Sequence, residues 1–378
     1  MAIDKITTAA ITDGTITSSD LASGAVQNQS AFRNIIINGD MSVALRNTSV
    51  SSITSNGYKT TDRYKVNYSS AGTWTQSQST TVPSAQGFAK SLKMDCTTAD
   101  ASLSAGDYLF MEQNIEGQFL QYLKKGTSSA ESVTLSFWVR SNKTGTYIAA
   151  IKDNDNSRYI SKSYTISSAD TWEKKTLTFA GDTTGALGND NATSFRLHFW
   201  LAAGTTYTSG TLATSWESET DANKAVGQVN LADSTSNEWY VTGIQLETGT
   251  SASDFEFLPF DVNLQRCERY YQKTYDIGNF AGSTSEAGTL WDGGSSDASG
   301  NLSHLYNFKT RMRTSPSVTG YDRSGNSGQF NYYRSGGSST GSFNTHMRGD
   351  ASISYYSATG ANYTVATTAG FLVLEAEL

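Results

Sequence analysis

Two stretches of the chain alternate strictly between apolar and polar residues, and this period of two constrains the fold more than any other feature. Residues 132–141 have the sequence SVTLSFWVRS, and residues 194–201 have the sequence SFRLHFWL. The apolar positions are Val133, Leu135, Phe137, Val139, Phe195, Leu197, Phe199 and Leu201. Because successive side chains of a strand point to opposite faces, both stretches are predicted to be half-buried antiparallel strands.

Four more segments have strand-like composition, and polar turns rich in Gly, Asn and Asp separate them. They are residues 147–151, 159–166, 172–179 and 239–247. Many short strands joined by such turns predict an all-β fold whose centre is a jelly-roll β-sandwich. A polar, Thr-rich stretch at 202–237 interrupts the rhythm and is predicted to be a long excursion or a pair of weak edge strands.

The chain is predicted to have three regions. Residues 1–33 form an N-terminal attachment or stem segment, residues 34–260 the jelly roll, and residues 261–378 a small C-terminal β-domain. The last region opens with a short helix within 261–273 and ends with a strong strand at 370–378.

The N-terminal segment carries an apolar residue every fifth position. These residues are Ile6, Ile11, Ile16, Leu21 and Val26. Neither a helix nor a strand produces this period, and so few units cannot bury a core alone. One interpretation is a coil that orders only against other copies or another protein, as in a homotrimer. The alternative is a frayed terminal segment.

Charge and composition exclude several classes of protein. The chain has 28 Lys and Arg against 35 Asp and Glu, a net charge of −7, so a nucleic-acid partner is not expected. It has no apolar run long enough for a membrane helix, and therefore no membrane insertion is predicted. Its start does not resemble a signal peptide, so we expect synthesis in a cytoplasm. Cys96 and Cys267 are predicted to be buried thiols.

Catalytic and metal-binding motifs are weak, so we predict no enzyme activity, no cofactor and no metal. A GSSTG match at 337–341 lies in a Ser/Gly-rich loop and lacks the strand–helix context of a hydrolase elbow. The three His residues have no metal-ligand spacing: His198, His304 and His346.

The outward faces of the two alternating strands carry aromatic residues beside polar ones. Trp138 lies near Arg140, and Trp200 lies near Arg196 and His198. Sugar rings stack on Trp while neighbouring polar groups bind hydroxyls, so this jelly-roll face is a candidate glycan site. The alternative is that the long excursion or a neighbouring subunit covers these residues.

A second candidate recognition surface lies in the Tyr-rich C-terminal region. Tyr332 and Tyr333 are the candidate glycan-binding residues of this surface. Its content of Tyr, Ser, Gly and Asn favours adaptable recognition. Ordinary β-propensity explains the same composition equally well.

Several motifs together resemble a family of tailed-phage fibre and virion structural proteins. They are NIIINGDMSVALR (34–46), TDRY (61–64), TLSFWVRS (134–141), GDTT (181–184), WYVTGIQLETG (239–249), FE (255–256) and CERYYQ (267–272). The central region is also similar to the jelly roll of carbohydrate-binding modules. Such modules often hold a structural calcium through an acidic residue of the closing strand, and 241–244 has no carboxylate there.

The resemblance implies a non-enzymatic, homotrimeric fibre protein of the virion, assembled in the host cytoplasm. It implies attachment to other virion proteins through the N-terminus and contact of the β-domains with the host surface, a glycan being the expected ligand. One alternative is a head or tail decoration protein that binds no receptor. A polysaccharide depolymerase is the second alternative.

Overall fold

The computed structural model describes residues 32–295, 297–334, 337–358 and 366–378. Its first layer is a six-stranded antiparallel sheet. In spatial order the strands are β1 (Ser49–Ile53), β4 (Thr73–Ser79), β5 (Ser91–Thr98), β13 (Glu238–Thr248), β7 (Val133–Ser141) and β10 (Glu173–Phe179).

The second layer is a seven-stranded antiparallel sheet. Its order is β12 (Glu217–Ser218), β9 (Arg158–Ile166), β8 (Gly145–Asp153), β11 (Thr193–Ala203), β6 (Tyr108–Glu116), β3 (Lys65–Ser69) and β2 (Gly57–Tyr58). The two sheets pack face to face over one large apolar core. The predicted all-β sandwich is therefore confirmed.

The alternation of the sequence decides which side chains enter this core. All eight predicted apolar residues of β7 and β11 are buried in it. They pack with Trp74 and Trp239, which come from β4 and β13. The pleat places the intervening residues on the two outer faces of the sandwich.

One glycine in β13 has a conformational role. Gly243 has φ +62°, and the pairing of β13 with β7 shifts register between Thr242 and Gln245. A Cβ at Gly243 would lie 2.5 Å from the Phe88 ring. Glycine therefore permits both the bulge and the close packing.

The stretch at 202–237 was predicted to be a long excursion or a pair of weak edge strands, and it is a long excursion. It contains the helix α1 (Thr205–Thr208), the 3₁₀ turns Asp221–Asn223 and Leu231–Asp233, and only the two-residue strand β12. Two further 3₁₀ turns, Gly117–Phe119 and Gln121–Leu123, follow β6. The excursion returns over the outer face of the seven-stranded sheet, where Ala225 and Tyr207 pack near Trp200.

After the sandwich, α2 (Phe260–Glu268) leads into a third sheet, as the helix prediction expected. Its main path is β14 (Tyr271–Lys273), β21 (Ala366–Glu375), β18 (Gln329–Arg334), β19 (Gly337–Arg348), β20 (Ser352–Ala358) and β16 (Asn301–Asn307). The strands β15 (Leu290–Gly294) and β17 (Ser317–Tyr321) also pair with β21. The predicted terminal strand is thus the strand on which this sheet is organised. The GSSTG match belongs to β19, and its strand conformation excludes a hydrolase elbow.

A second apolar cluster joins the sandwich to the third sheet. It contains Ile37, Val43, Leu45, Cys267, Tyr270, Tyr271, Tyr275, Phe371 and Val373. Both cysteines are buried free thiols, as predicted. Since the cluster draws residues both from the sandwich and from the chain beyond residue 260, neither side closes this core alone.

Ion pairs centred on two buried arginines surround that cluster. Arg46 binds Asp62 at 2.7 Å and Glu375 and Glu377 at 3.0 Å each. The guanidinium of Arg63 pairs with Glu377 and lies 3.4 Å from the Tyr270 ring centroid. Burial raises the pKa of Asp62 to about 6, although Arg46 and the Leu45 N–H oppose the shift.

Three of the motifs that carry the resemblance meet at this junction. They are residues 34–46, 61–64 and 267–272. A fourth, 239–249, lies in and beside β13, where Asn34 Nδ2 donates to the Ile244 carbonyl at 3.0 Å. These motifs therefore hold the architecture together.

Two sets of predictions stand outside these observations. The described residues do not include the apolar residues of the N-terminal repeat, which are Ile6, Ile11, Ile16, Leu21 and Val26. A homotrimer stays a prediction.

Within the described ranges, no helix has the length and apolarity needed to cross a membrane.

Candidate functional site

A cleft of about 250 Å³ lies on the outer face of the seven-stranded sheet. Its floor follows from strand register, because residues paired across strands share one face. Asn67 of β3 faces Phe110 of β6, which faces Trp200 of β11. One rung further along, Glu112 faces His198. Tyr108, Phe110 and Glu112 point outward together because they alternate along β6.

The wall of the cleft comes from the excursion. Tyr207 packs at 5.5 Å from both the Tyr108 and the Trp200 ring centroids. Further along, Glu219 binds Lys152 at 2.7 Å and Lys224 at 2.6 Å. The cleft is thus aromatic at one end and charged at the other.

A hydrogen-bond chain runs beneath the cleft floor. Trp200 Nε1 donates to the Tyr159 hydroxyl at 3.0 Å, and that hydroxyl lies 3.1 Å from His198 Nδ1. His198 Nε2 lies 3.0 Å from Glu112 Oε2. These hydrogen bonds place the imidazole proton on Nε2 and make Nδ1 the acceptor from the Tyr159 hydroxyl.

Burial and neighbouring charges fix the ionisation of this pair. Burial lowers the pKa of His198, and the charges of Arg196 and Lys224 lower it further, against the hydrogen bond to Glu112. Burial opposes ionisation of Glu112, but the His198 hydrogen bond and the charges of Arg196 and Lys65 lower its pKa to about 2. At neutral pH the cleft therefore holds a carboxylate beside an uncharged imidazole.

Three buried polar atoms of the cleft lining have no hydrogen-bond partner within the part of the chain that the structure describes. They are the donors Asn67 Nδ2 and Arg196 Nε and the acceptor Glu112 Oε1. The nearest charges to Glu112 are Lys65 at 3.9 Å from Oε1 and Arg196 at 3.7 Å from Oε2, beyond hydrogen-bond length. Unpartnered buried groups cost free energy, so a ligand that supplies the missing bonds is favoured.

Three of the sequence-predicted residues line this cleft: Arg196, His198 and Trp200. Trp200 is only 2% exposed, however, because Phe110 and the excursion cover its ring. The alternative of a covering excursion is therefore correct for Trp200. The aromatic surface open to a ligand belongs to Tyr108, Phe110 and Tyr207, which are partly exposed.

The structure does not place Trp138 and Arg140 on the same face as Trp200. They lie on β7 of the six-stranded sheet, and their outer face is on the opposite side of the sandwich. Arg140 is occupied there by Asp170 at 2.7 Å and Glu238 at 3.1 Å. A single glycan face that includes both tryptophans is wrong, because alternation specifies in or out but not which sheet.

The two predicted tyrosines of β18 also separate. Tyr332 is buried, whereas Tyr333 stacks on Trp291 of β15 with centroids 5.2 Å apart. Trp291 is 54% exposed, and Arg323 Nη1 donates to the Tyr333 hydroxyl at 2.7 Å. Of the two, only Tyr333 contributes to an exposed aromatic surface.

The residues that form the aromatic floor and the wall of the cleft were not predicted from the sequence. Tyr108, Phe110 and Glu112 alternate within 108–116, so period two carried a signal that β6 has an outward aromatic row. Glu219 and Lys224 lie in irregular backbone and Tyr207 in the one-turn helix α1, so no periodicity identifies the face that they approach.

The described ranges contain no group of three or more His, Cys, Asp or Glu residues arranged to hold a metal ion.

Comparison with known proteins gives structural similarities only. Neither a protein-family model nor a curated protein matches the sequence. Among solved structures, the enzymatically active domain of bacteriophage CBA120 tailspike protein 4 matches with 14% identity and a TM-score of 0.30, over 58% of this chain and 22% of its own. The family 11 carbohydrate-binding module of Clostridium thermocellum Lic26A-Cel5E matches with 12% identity and a TM-score of 0.27, over 53% of this chain and 99% of its own. The N-terminal cellulose-binding domain of Cellulomonas fimi β-1,4-glucanase C matches with 14% identity and a TM-score of 0.25, over 47% and 85%.

Proposed function

We propose that this chain binds a glycan in the cleft of the seven-stranded sheet and performs no reaction on it. The observation that carries the proposal is the set of three unpartnered atoms beside open aromatic rings: Asn67 Nδ2, Arg196 Nε and Glu112 Oε1.

A sugar matches this set chemically. Each hydroxyl donates one hydrogen bond and accepts others, so a pair of neighbouring hydroxyls can satisfy Glu112 Oε1 and a nearby donor together. The apolar C–H face of the same ring can stack on Phe110 or Tyr108. The cleft volume lies near the lower end of the ligand-pocket range, which suits one segment of a longer chain.

The ionisation of the cleft carboxyls favours binding over hydrolysis. A glycosidase needs one carboxylic acid with a raised pKa to protonate the leaving group. Glu112 has a lowered pKa, and hydrogen bonds from Lys152 and Lys224 also lower the pKa of Glu219, against the effect of burial. Neither Glu112 nor Glu219 is suited to donate a proton, which argues against these two carboxyls as the general acid of a depolymerase.

For the biological role we propose a homotrimeric fibre protein of a tailed-phage virion, anchored through residues 1–33 and contacting a host-surface glycan. The sequence resemblance supports the role, and the repeated Ile6, Ile11, Ile16, Leu21 and Val26 support the trimer. Exposed aromatic rings lie where this segment joins the sandwich. The Phe32 N–H donates to Glu256 at 2.6 Å. The side chains of Phe32, Phe257 and Phe260 are each about half exposed. Apolar rings at this point suit contact with other copies. A decoration protein without a receptor is the alternative.

A glycan array followed by calorimetry on the full chain tests the binding proposal. We expect saturable binding to at least one oligosaccharide, and loss of that binding in Phe110→Ala. Trp138→Ala, on the opposite outer face, is the matched control. If no oligosaccharide binds, the purely structural role is favoured, and a loss of polysaccharide viscosity would revive the depolymerase.

Sedimentation and truncation test the virion role. We expect a trimer at micromolar concentration, and a stable monomer would contradict the proposal. Removing residues 1–31 leaves the Phe32 and Arg33 contacts in place and should give a folded protein that no longer enters particles. If the truncated protein is incorporated normally, the anchor lies elsewhere.

Host adsorption compares the cleft with the Trp291–Tyr333 surface. Alanine at Tyr332 or Trp200 would test folding, since both side chains are buried. Trp291→Ala with Tyr333→Ala is the informative pair of changes, set against Phe110→Ala. We expect Phe110→Ala to reduce adsorption more, and the reverse ranking would move the host contact to the third sheet.

A further inference from the structure

We propose that the cleft selects uncharged sugars and rejects sugars that carry a carboxylate, and that Glu112 is the specificity-determining residue. This inference rests on the glycan-binding function proposed above. It concerns which glycans enter, and its test separates the two proposals.

The position of Glu112 is the first argument. The residue is 2% exposed and lies in the middle of the floor, between Lys65 and His198 on the neighbouring strands. Its Oε2 is engaged by His198 Nε2, and its Oε1 is the acceptor left for a ligand. An ionised carboxylate only accepts hydrogen bonds, so the group that meets Oε1 must donate. A sugar hydroxyl does so, and a ligand carboxylate does not.

The charge balance of the cleft is the second argument. The charged lining residues are three cations, Lys152, Arg196 and Lys224, and three anions, Glu112, Glu219 and Asp221. Both lysines are already bound to Glu219, and Lys224 also to Asp221. An acidic sugar therefore finds no lysine in the lining without a carboxylate partner. The remaining cation, Arg196, lies 3.7 Å from Glu112 Oε2, so an acidic sugar that approaches it also meets the charge of Glu112 at short range.

The hydrogen-bond chain beneath the floor is the third argument. His198 could offset Glu112 only by taking a second proton on Nδ1. That nitrogen already accepts from the Tyr159 hydroxyl, which in turn accepts from Trp200 Nε1. If Nδ1 carried a proton, it could no longer accept the hydrogen bond from the Tyr159 hydroxyl. His198 therefore stays neutral, and the negative charge of Glu112 faces the ligand.

The test uses pairs of oligosaccharides that differ only in one group, a primary hydroxyl or its carboxylate oxidation product. Glucose-, galactose- and mannose-based pairs are titrated against the full chain by calorimetry. We expect the wild type to bind the neutral member about tenfold or more tightly, since like charges at close range strongly disfavour binding. In Glu112→Gln this preference should fall to about threefold or less, because the shape is kept and the charge is removed. Glu238→Gln, a carboxylate of the opposite outer face, should keep the wild-type preference.

The outcomes distinguish the two proposals. If the wild type binds neither member of any pair, the glycan-binding function itself fails. If it binds the acidic members equally or better, the selection fails while glycan binding stands. Should Glu112→Gln not fold, Arg196→Gln provides the second variant. Removing that cation should increase the preference for neutral sugars about threefold, since less positive charge offsets Glu112. An unchanged or smaller preference would contradict the assignment.

Discussion

The two outer faces of the sandwich present similar residue types and differ in what those residues leave unsatisfied. Each face carries a tryptophan on a strictly alternating strand. Arg140 follows Trp138 by two residues, and Arg196 precedes Trp200 by four. On the six-stranded face, Arg140 is bound by Asp170 and Glu238, and Glu238 is also bound by Lys93 at 2.7 Å. On the seven-stranded face, Glu112 and Arg196 are too far apart for a hydrogen bond, and each keeps an unpartnered atom.

This difference makes the seven-stranded face the better candidate for ligand binding, because it has unmet hydrogen bonds in a concavity, whereas both faces have an outward tryptophan. The long excursion creates that condition on the seven-stranded side, because it builds a wall beside β11 and covers Trp200. Buried polar groups of the floor are left without a protein partner there, as the proposed ligand site requires. The six-stranded face satisfies the ion pairs of Arg140 and Glu238 internally.

The largest expected difference between the faces is in acid stability. Glu112 has a folded-state pKa near 2 against an ordinary value of 4.5, so its ionised form stabilises the native state above the higher value. Stability is lost as the pH falls from about 5 to about 2, which amounts to about 3 kcal/mol. Urea denaturation should show the wild-type advantage over Glu112→Gln shrinking by this amount. The advantage over Glu238→Gln should shrink much less, since Glu238 is far more exposed to solvent. Equal changes in both variants would remove the contrast.

The next largest effect concerns ligand affinity. Phe110→Ala removes the central ring of the cleft, and we expect a loss of about 2 kcal/mol, or about thirtyfold in Kd. Trp138→Ala should leave Kd unchanged. Calorimetry with the best array ligand measures both, and circular dichroism controls for folding. A comparable loss in Trp138→Ala would mean that the six-stranded face binds ligand.

A single orphan donor should have a smaller effect. Asn67→Ala removes the Nδ2 donor opposite Phe110, and we expect about 1 kcal/mol weaker binding, or about fivefold in Kd. Asn142→Ala removes an amide that bonds Ser236 in a turn at 2.9 Å, so it should leave Kd unchanged. If Asn67→Ala binds as well as the wild type, the donor does not contact the ligand.

The smallest effect is expected for Arg140→Ala. Its ion pairs are partly exposed to solvent, and such pairs contribute about 1 kcal/mol or less to the free energy of unfolding. Thermal denaturation should therefore shift by only a few degrees, and ligand affinity should not change. A large loss of affinity would show that the predicted glycan role of Arg140 is correct after all.

The sequence predicted the fold far better than the site. Strict alternation identified β7 and β11 and every core residue assigned to them, because period two has one physical cause. The same period could not assign Trp138 and Trp200 to different sheets, since strand order depends on pairing between distant segments. Tyr207 and Lys224 could not be predicted for a different reason: one lies in the single turn of α1 and the other in irregular backbone, both too short or too irregular to show a period. Arg196 and His198 were found because they share the outward row of β11.

The cluster around Ile37, Leu45, Tyr270 and Phe371 has a consequence for how such a protein can evolve. Because the sandwich and the third sheet share one apolar junction and the Arg46 and Arg63 ion pairs, a graft at residue 260 would expose apolar side chains and leave buried charges unpaired. Recombination that exchanges the third sheet must therefore carry matching residues at 34–46 and 61–64. The cleft residues Asn67, Phe110 and Trp200 take no part in that junction, so a change of the third sheet requires no matching change in them.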